Sequence, residues 1–492
     1  MKKNIILTIC TIVLLSSCGQ DLLEEKPTAF VSPTNFYRNA SEANIALTGV
    51  YGMLRSVYNS NVGFAILWGD HGTDLLTHRP GHPALTGSAS YTLTSQYTQL
   101  NNLWINTYEL INRANSVIDR VPDIEMDDVE KNRIIGEALF LRAHMYFNLV
   151  MAWGDVPLVT KETTSMEGLD VPRVASEDVY DQIIADLTLA EQLLPNIANN
   201  QRGTAGAARA LLGKVYLQMA GYPLKDATKL SLAQNKLKEV IDDGVHTLLD
   251  NYSEVFALDN EDNNEIMFAV QYAAGIQQGG SLTRIYGPGG AFVNGGAIAF
   301  HSINSEFALS FDGNDERLAQ NVAKHNVNNG QVYPIPKQGT GWRPWKWIKP
   351  LPVTYGEGDG PQDFPLLRFS DVLLMYAEVL NALNQGPTLE AYNAINQVRN
   401  RAGLDDLQDG LSQTEFLDAL LDERAWELCF EGHRRADLIR NEKLIEKVRA
   451  IPPDTQYQNY VAAQNIQDFH LLWPLPLREL DLNPNLTQNP SY

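Results

Sequence analysis

The chain has 492 residues, with 59 acidic against 38 basic side chains and a formal charge of −21. No basic stripe offsets that surplus, which excludes a phosphate backbone as a natural partner, so no nucleic acid is expected. The length exceeds one ordinary hydrophobic core and by itself suggests two or three domains.

Lys2 and Lys3 open the chain, and an apolar run from Ile5 to Leu15 stops at Ser16-Ser17-Cys18. The run is too short to span a bilayer and reads as a signal peptide over residues 1–17. Small residues just ahead of Cys18 suit a peptidase that cuts before a lipid-modified cysteine. Cys18 is therefore the expected lipid anchor, its acyl chains together sufficient for stable membrane attachment. Loss of Lys2 and Lys3 with the leader takes the formal charge from −21 to −23. Cys10 leaves with it, and Cys429 then stands alone, so no disulfide framework is expected. Residues 18–40 form an acidic tether and N-terminal segment, with Asp21, Glu24 and Glu25 close behind the anchor.

The body, residues 41–492, reads as mostly α, in pairs of helices. Ser41 to about Tyr58 carries Ile45, Ala46, Val50, Tyr51 and Leu54 at helical spacing, and its partner runs from about Leu100 to Val121. Further pairs are Asn132–Ala152 with Glu177–Leu194, Thr204–Ala220 with Ser231–Asp242, and Phe369–Leu383 with Leu389–Arg401. One long helix from about Thr414 to Ile439 closes the series. Ile183, Leu187, Ala190 and Pro195 follow the offsets of a tetratricopeptide second helix. So do Ala233, Leu237 and Val240, and Ala391, Ile395 and Val398; Gly213 and Tyr216 fit its first helix. About four tetratricopeptide-like hairpins are expected.

Two stretches break the pattern. Residues 61–99 are rich in Gly, Thr, Ser, Tyr and His. Residues 251–363 alternate strand-like runs (Glu265–Tyr272, Gln331–Ile335, Trp345–Ile348) with Gly-rich loops. Long irregular loops on a rigid scaffold usually carry function, so the ligand face is expected there.

Enzyme signatures are missing. Gly213-Lys214 invites a phosphate-loop reading, but Ala208 and Val215 stand where that loop needs a glycine and a hydroxyl. No nucleophile elbow or HExxH occurs. His71, His78 and His82, with Asp70 and Asp74, fit no metal-ligand spacing. Asp312-Gly313-Asn314-Asp315-Glu316 lacks the sixth-position glycine of a calcium loop, where Arg317 sits. No catalytic residue, metal or cofactor is expected. Paired carboxylates for glycoside hydrolysis are a matter of separation, which sequence does not report.

In Asp422–Arg440, Glu431 has Arg434 and Arg435 three and four residues ahead, a favourable helix-surface arrangement. Cys429 sits in an apolar stripe with Trp426, Phe430 and His433 and reads as a small buried hydrophobe. Arg368 and Glu378 suggest buried ion pairing. Pro474, Pro476, Pro484 and Pro490 suggest an extended tail laid over the body.

Sugar capture needs an aromatic platform under a pyranose face, flanked by planar polar groups. Trp68, Asp70, Asp74, His78 and Arg79 offer such a set in the first loop, with Tyr91 nearby; Tyr286, Trp342, Arg343 and Trp345 follow in the second.

The sequence resembles the SusD/RagB family, surface glycan-binding lipoproteins of Bacteroidetes nutrient uptake. GEALFLRAHMYFNLVMAWGDVPLV (Gly136–Val159), TAGAARALLGKVYLQMAG (Thr204–Gly221) and DFPLLRFSDVLLMYAEVLN (Asp363–Asn381) carry the resemblance. VRNRAGL (Val398–Leu404), DERAWELCFEGHRRADLIR (Asp422–Arg440) and the closing LWPLPLRELDLNPNLTQNPSY (Leu472–Tyr492) extend it over the mature chain. The resemblance implies a single helical body, residues 41–492, backing an irregular ligand face. It also implies a SusC-like TonB-dependent transporter as partner, an oligosaccharide as ligand, and a place on the outer membrane facing outward. In lipoproteins of this type, acidic residues behind the lipidated cysteine resemble a surface-export signal. A peptide-capturing lid of the same type, a helical glycoside hydrolase and a bare interaction scaffold are the other readings.

Overall fold

Asn39 opens the first long helix, α1 (Ala40–Val57), by accepting a hydrogen bond from the Glu42 amide at 3.0 Å. Ala43, Leu47, Val50, Leu54 and Val57 then recur at four-three spacing and are all buried. The computed structural model describes residues 36–58, 63–78, 83–165, 167–286, 301–322, 325–328, 331–334, 342–347, 359–452 and 459–492. Cys18, its leader and most of the tether lie outside them.

α2 (Thr98–Arg120) and α3 (Asp128–Trp153) follow, and α3 is buried all round from Ala138 to Val150, which makes it the axis of the body. It ends at Gly154, whose φ of +71° closes the last turn. α4 (Ser176–Leu193), α5 (Ala205–Ala220), α6 (Lys229–Asp243), α7 (Phe369–Leu383), α8 (Leu389–Arg401) and α9 (Gln413–Leu428) complete the stack. Each packs on its neighbour in turn: α1 on α2 and α3, then α3 on α4, α4 on α5, α5 on α6, α6 on α7, and α7 on α8 and α9. The four expected pairs are therefore neighbours in space. Ile183, Leu187, Ala190, Ala233, Leu237, Val240, Ala391, Ile395 and Val398 face the core.

Gly213 has a packing reason. A methyl there would come within 2.6 Å of the Leu237 side chain, so its absence lets α5 and α6 close up. Lys214 binds Asp371 at 3.0 Å and His433 at 2.9 Å.

The two insertions meet. The first contains a π-helical turn (Ala65–Asp70), β1 (Leu76–His78) and a short helix, Pro83–Ser90. The second contains β2 (Ile266–Val270), β3 (His301–Ile303) and a hairpin of His325–Asn328 with Gln331–Pro334. β1 pairs antiparallel with β3, Thr77 opposite Ser302, and β2 pairs antiparallel with β4 (Phe364–Arg368). Trp345 to Trp347 is a turn rather than the expected strand, since Trp342 and Pro344 each make a single bridge, to Ile303 and Val322.

The last expected helix breaks. α9 stops at Leu428, Phe430 and Gly432 take φ of +66° and +86°, and a new helix, α10 (Arg434–Arg440), begins. The break lets Gly432 press against Gly69 of the π-helical turn, where a methyl would overlap the Gly432 carbonyl. It also overturns the expected surface pairing of Glu431 with Arg434 and Arg435. Glu427 and Glu431 are buried, and Glu431 binds Arg368 and Lys346 at 2.7 Å each. Cys429 is fully buried, which pushes its thiol up to about 12.

The proline-rich tail lies on the end of α3. Trp473 donates its amide to the Ala152 carbonyl at 2.7 Å, and the Trp153 indole donates to the Pro474 carbonyl at 3.0 Å. Among the described residues no helix is long and apolar enough to cross a membrane.

Candidate functional site

The β1–β3 ladder ties the two insertions together beside α9 and α10, and a cleft of about 620 Å³ opens there. Chain geometry delivers its polar wall. Asp74 follows the π-helical turn, and Arg434 opens α10 directly after the Gly432 break. The Arg434 guanidinium donates to both Asp74 oxygens, at 2.8 and 2.6 Å, and to the Leu421 carbonyl at 2.6 Å. Burial would push the Asp74 carboxyl up, but Arg434 outweighs it and holds the group below its ordinary value. Asp422 on α9 faces Lys447 at 3.7 Å, and Glu306 is exposed at the rim.

The apolar wall is Trp426 and Phe307. Trp426 is half-buried and donates its indole N–H to Ser310 Oγ at 2.9 Å, which fixes the ring plane. Phe307 packs on Phe311, with ring centroids 5.3 Å apart. Asn304 seats this segment by donating to the Thr73 carbonyl at 3.1 Å. An aromatic face opposite charges that are paired, apart from the solvent-exposed Glu306, suits a neutral, polyhydroxylated ligand better than an ion.

Of the ligand residues expected from sequence, Asp74 lines this cleft. Asp70, Tyr91, Tyr286 and Arg343 are buried away from it, which corrects their expected role as ligand contacts in the loops; Trp68 is buried too and borders a second cavity behind α10 instead of the cleft. Trp68 stacks on Phe64 at 5.3 Å, and Asp70 accepts the Gly432 amide at 3.1 Å, its carboxyl raised well above the ordinary value by burial. Tyr91 donates its hydroxyl to the Gly72 carbonyl, Tyr286 packs on His301 at 4.7 Å, and Arg343 donates to the His301 carbonyl at 2.9 Å and to Ser302. Asp70 and Tyr286 tie the insertions to the body, at Gly432 and Phe430, while Trp68, Tyr91 and Arg343 brace each insertion internally. Trp342 and Trp345 are half-buried against the core and do not line the cleft. The backbone of His78 belongs to β1, while its side chain and all of Arg79 lie outside the described residues.

Sequence reasoning missed Trp426, Phe307, Arg434 and Lys447. Trp426 and Arg434 did stand in a singled-out motif, but an unbroken helix assigned them to packing and to a surface pair. Gly432, placed between them, was the available signal. Among the described residues no group of three or more His, Cys, Asp or Glu side chains could hold a metal ion. In the calcium-like loop, Asp312 accepts the Asn314 amide, and Asp315 is engaged by Arg317.

Two family models match the chain. Residues 329–492 match the SusD family, and residues 76–217 match a family described as starch-binding, associating with the outer membrane. SusD-like protein P25 of Formosa agariphila is 28% identical over 99% of this chain and 98% of its own length. A crystal structure of a SusD homolog from Bacteroides thetaiotaomicron superposes with a TM-score of 0.85 at 27% identity, covering 94% of this chain and 98% of that one. The chain belongs to the SusD/RagB family. A laminarin-binding SusD-like protein superposes with a TM-score of 0.77 at 26% identity, covering 93% of this chain and 100% of that one. The starch-binding protein SusD of Bacteroides thetaiotaomicron is 25% identical over 83% of this chain and 81% of its own length. The SusD match includes Trp426, Arg434 and Lys447, so the helical wall of the cleft lies within it.

Proposed function

We propose that this SusD/RagB protein is a non-catalytic, surface-exposed lipoprotein. It captures a neutral oligosaccharide for import through a SusC-like TonB-dependent transporter. The observation that carries the reading is the cleft itself: an oriented indole faces paired charges where the two insertions meet. Its relatives support a glycan as ligand, one named for laminarin binding and one for starch binding. The leader and Cys18 support a lipid anchor, and the outer-membrane association of the matched family agrees with it. The non-catalytic reading is supported by the same pairing, since Asp74 is committed to Arg434.

The test uses the mature chain with Cys18 replaced, run through native gels that contain plant, microbial or host polysaccharides. Retardation by a neutral glucan, with no reducing ends released from that glucan, is the expected result. Retardation by anionic polysaccharides alone, or release of reducing ends, contradicts the proposal.

A further inference from the structure

A second cavity, of about 530 Å³, lies on the other side of α10. The short helix separates the two spaces, with Arg434 facing the cleft and Ala436 and Ile439 lining the second cavity. Met151 of α3, Tyr180 of α4, Gln218 of α5 and Leu472 of the tail close it. The volume falls in the range of small-molecule pockets, about 300–1,000 Å³.

Gln218 and Tyr180 present unpartnered polar atoms to this cavity, and the buried Trp68 indole N–H beside it has no partner either among the described residues. Gln218 is 6% exposed, and neither its amide nitrogen nor its amide oxygen is engaged. Tyr180 is 5% exposed, its hydroxyl likewise unengaged, and burial alone pushes that hydroxyl up. The polar atoms of Gln218 and Tyr180 are not sealed off from the cavity, so the polar edge of a ligand can reach both. Of the charged side chains that line the cavity, Arg173 and Asp155 are committed elsewhere, and Asp468 is exposed to solvent. Arg173 donates to the carbonyls of Asp155 and Thr487 at 2.8 Å each and to Asn489 Oδ1, while Asp155 accepts the Ser176 amide at 2.9 Å.

We infer that this cavity is a second binding site, for a neutral amphipathic small molecule. Its ligand presents one apolar ring to Met151, Ile439 and Leu472, and an amide or hydroxyl edge to Gln218 and Tyr180. A neutral ligand follows because the charges inside the cavity are engaged and Asp468 is solvent-exposed, where an ion pair is worth little, while burying an unpaired charge is costly. The inference rests on these side chains and not on the glycan reading of the cleft.

The test titrates the mature chain with benzamide and with benzoate, which share the ring and differ in charge, by saturation-transfer NMR. Benzamide is expected to bind with Kd of about 1 mM, an ordinary efficiency for a probe of its size. Benzoate is expected to bind at least about tenfold more weakly, since its charge finds no partner. Gln218→Leu and Tyr180→Phe each remove polar atoms with little change in shape. Each is expected to weaken benzamide about fivefold or more, with the melting transition retained as a check on folding. Equal binding of benzoate, no benzamide binding to about 10 mM, or benzamide binding that neither variant alters would overturn the proposal.

Discussion

Glu427 is held by three guanidiniums: Arg401 at 2.6 Å, Arg368 at 3.0 Å and Arg317 at 3.3 Å. Arg317 comes from the second insertion, Arg368 from β4 and Arg401 from α8, so one carboxylate fastens the insertion to the helical stack. Removing one partner of such a buried group leaves uncompensated charge, and Glu427→Ala is expected to cost about 3–5 kcal/mol. Burial would raise the Glu427 carboxyl, but the guanidiniums outweigh it and hold the group well below its ordinary value. Its contribution is therefore complete above about pH 4.3, the unfolded value, and is lost as pH falls toward the folded one. The melting temperature of Glu427→Gln should lie below that of the parent at neutral pH. The gap should narrow as pH drops from about 5 toward 2, as followed by circular dichroism. A gap that stays constant with pH would show that the charge of Glu427 is not what stabilises the fold. Sequence showed this residue only as a charge on a helix, because its partners come from distant segments.

Between α9 and α10 the five-residue break decides where the cleft sits. Gly432 adopts a φ of +86°, and a methyl there would stand 2.6 Å from Ala65 Cβ, while a methyl on Gly69 would overlap the Gly432 carbonyl. Both Gly69→Ala and Gly432→Ala should lower the melting temperature, by an overpacking cost of about 1–3 kcal/mol or more, with backbone strain added at position 432. Melts indistinguishable from the parent would contradict this close approach. The helical pairs were legible because four-three spacing survives wherever one face of a helix is buried, as for Ala391, Ile395 and Val398. The break was not, since Glu427, Glu431 and Arg434 keep helical spacing across it. The insertions were legible from composition, but which of their aromatics faces ligand was not. Trp68 and Tyr286 look like platform residues in sequence and are buried, Trp68 stacked on Phe64 four residues away and Tyr286 packed on Phe430 from the break after α9.

Across the whole molecule, a stack of helices fixes a cleft that neither insertion forms by itself. Asp74 arrives from the first insertion, Phe307 from the second, and Trp426 and Arg434 from the helices that back both. The surplus of acidic over basic side chains disfavours anionic cargo, and the paired charges of the cleft favour a neutral one. Trp426 is the residue on which glycan capture most depends, because its half-buried face is oriented by Ser310 and a sugar ring would stack on it. The deciding measurement is isothermal titration of the glycan retained in the gels into the parent and into Trp426→Ala. The account predicts that the variant stays folded, its melting transition lowered but retained, and binds about tenfold more weakly or worse, as loss of an aromatic platform worth about 1–2 kcal/mol requires. Equal affinity in the two proteins would place glycan capture elsewhere on the molecule and contradict the cleft as its site.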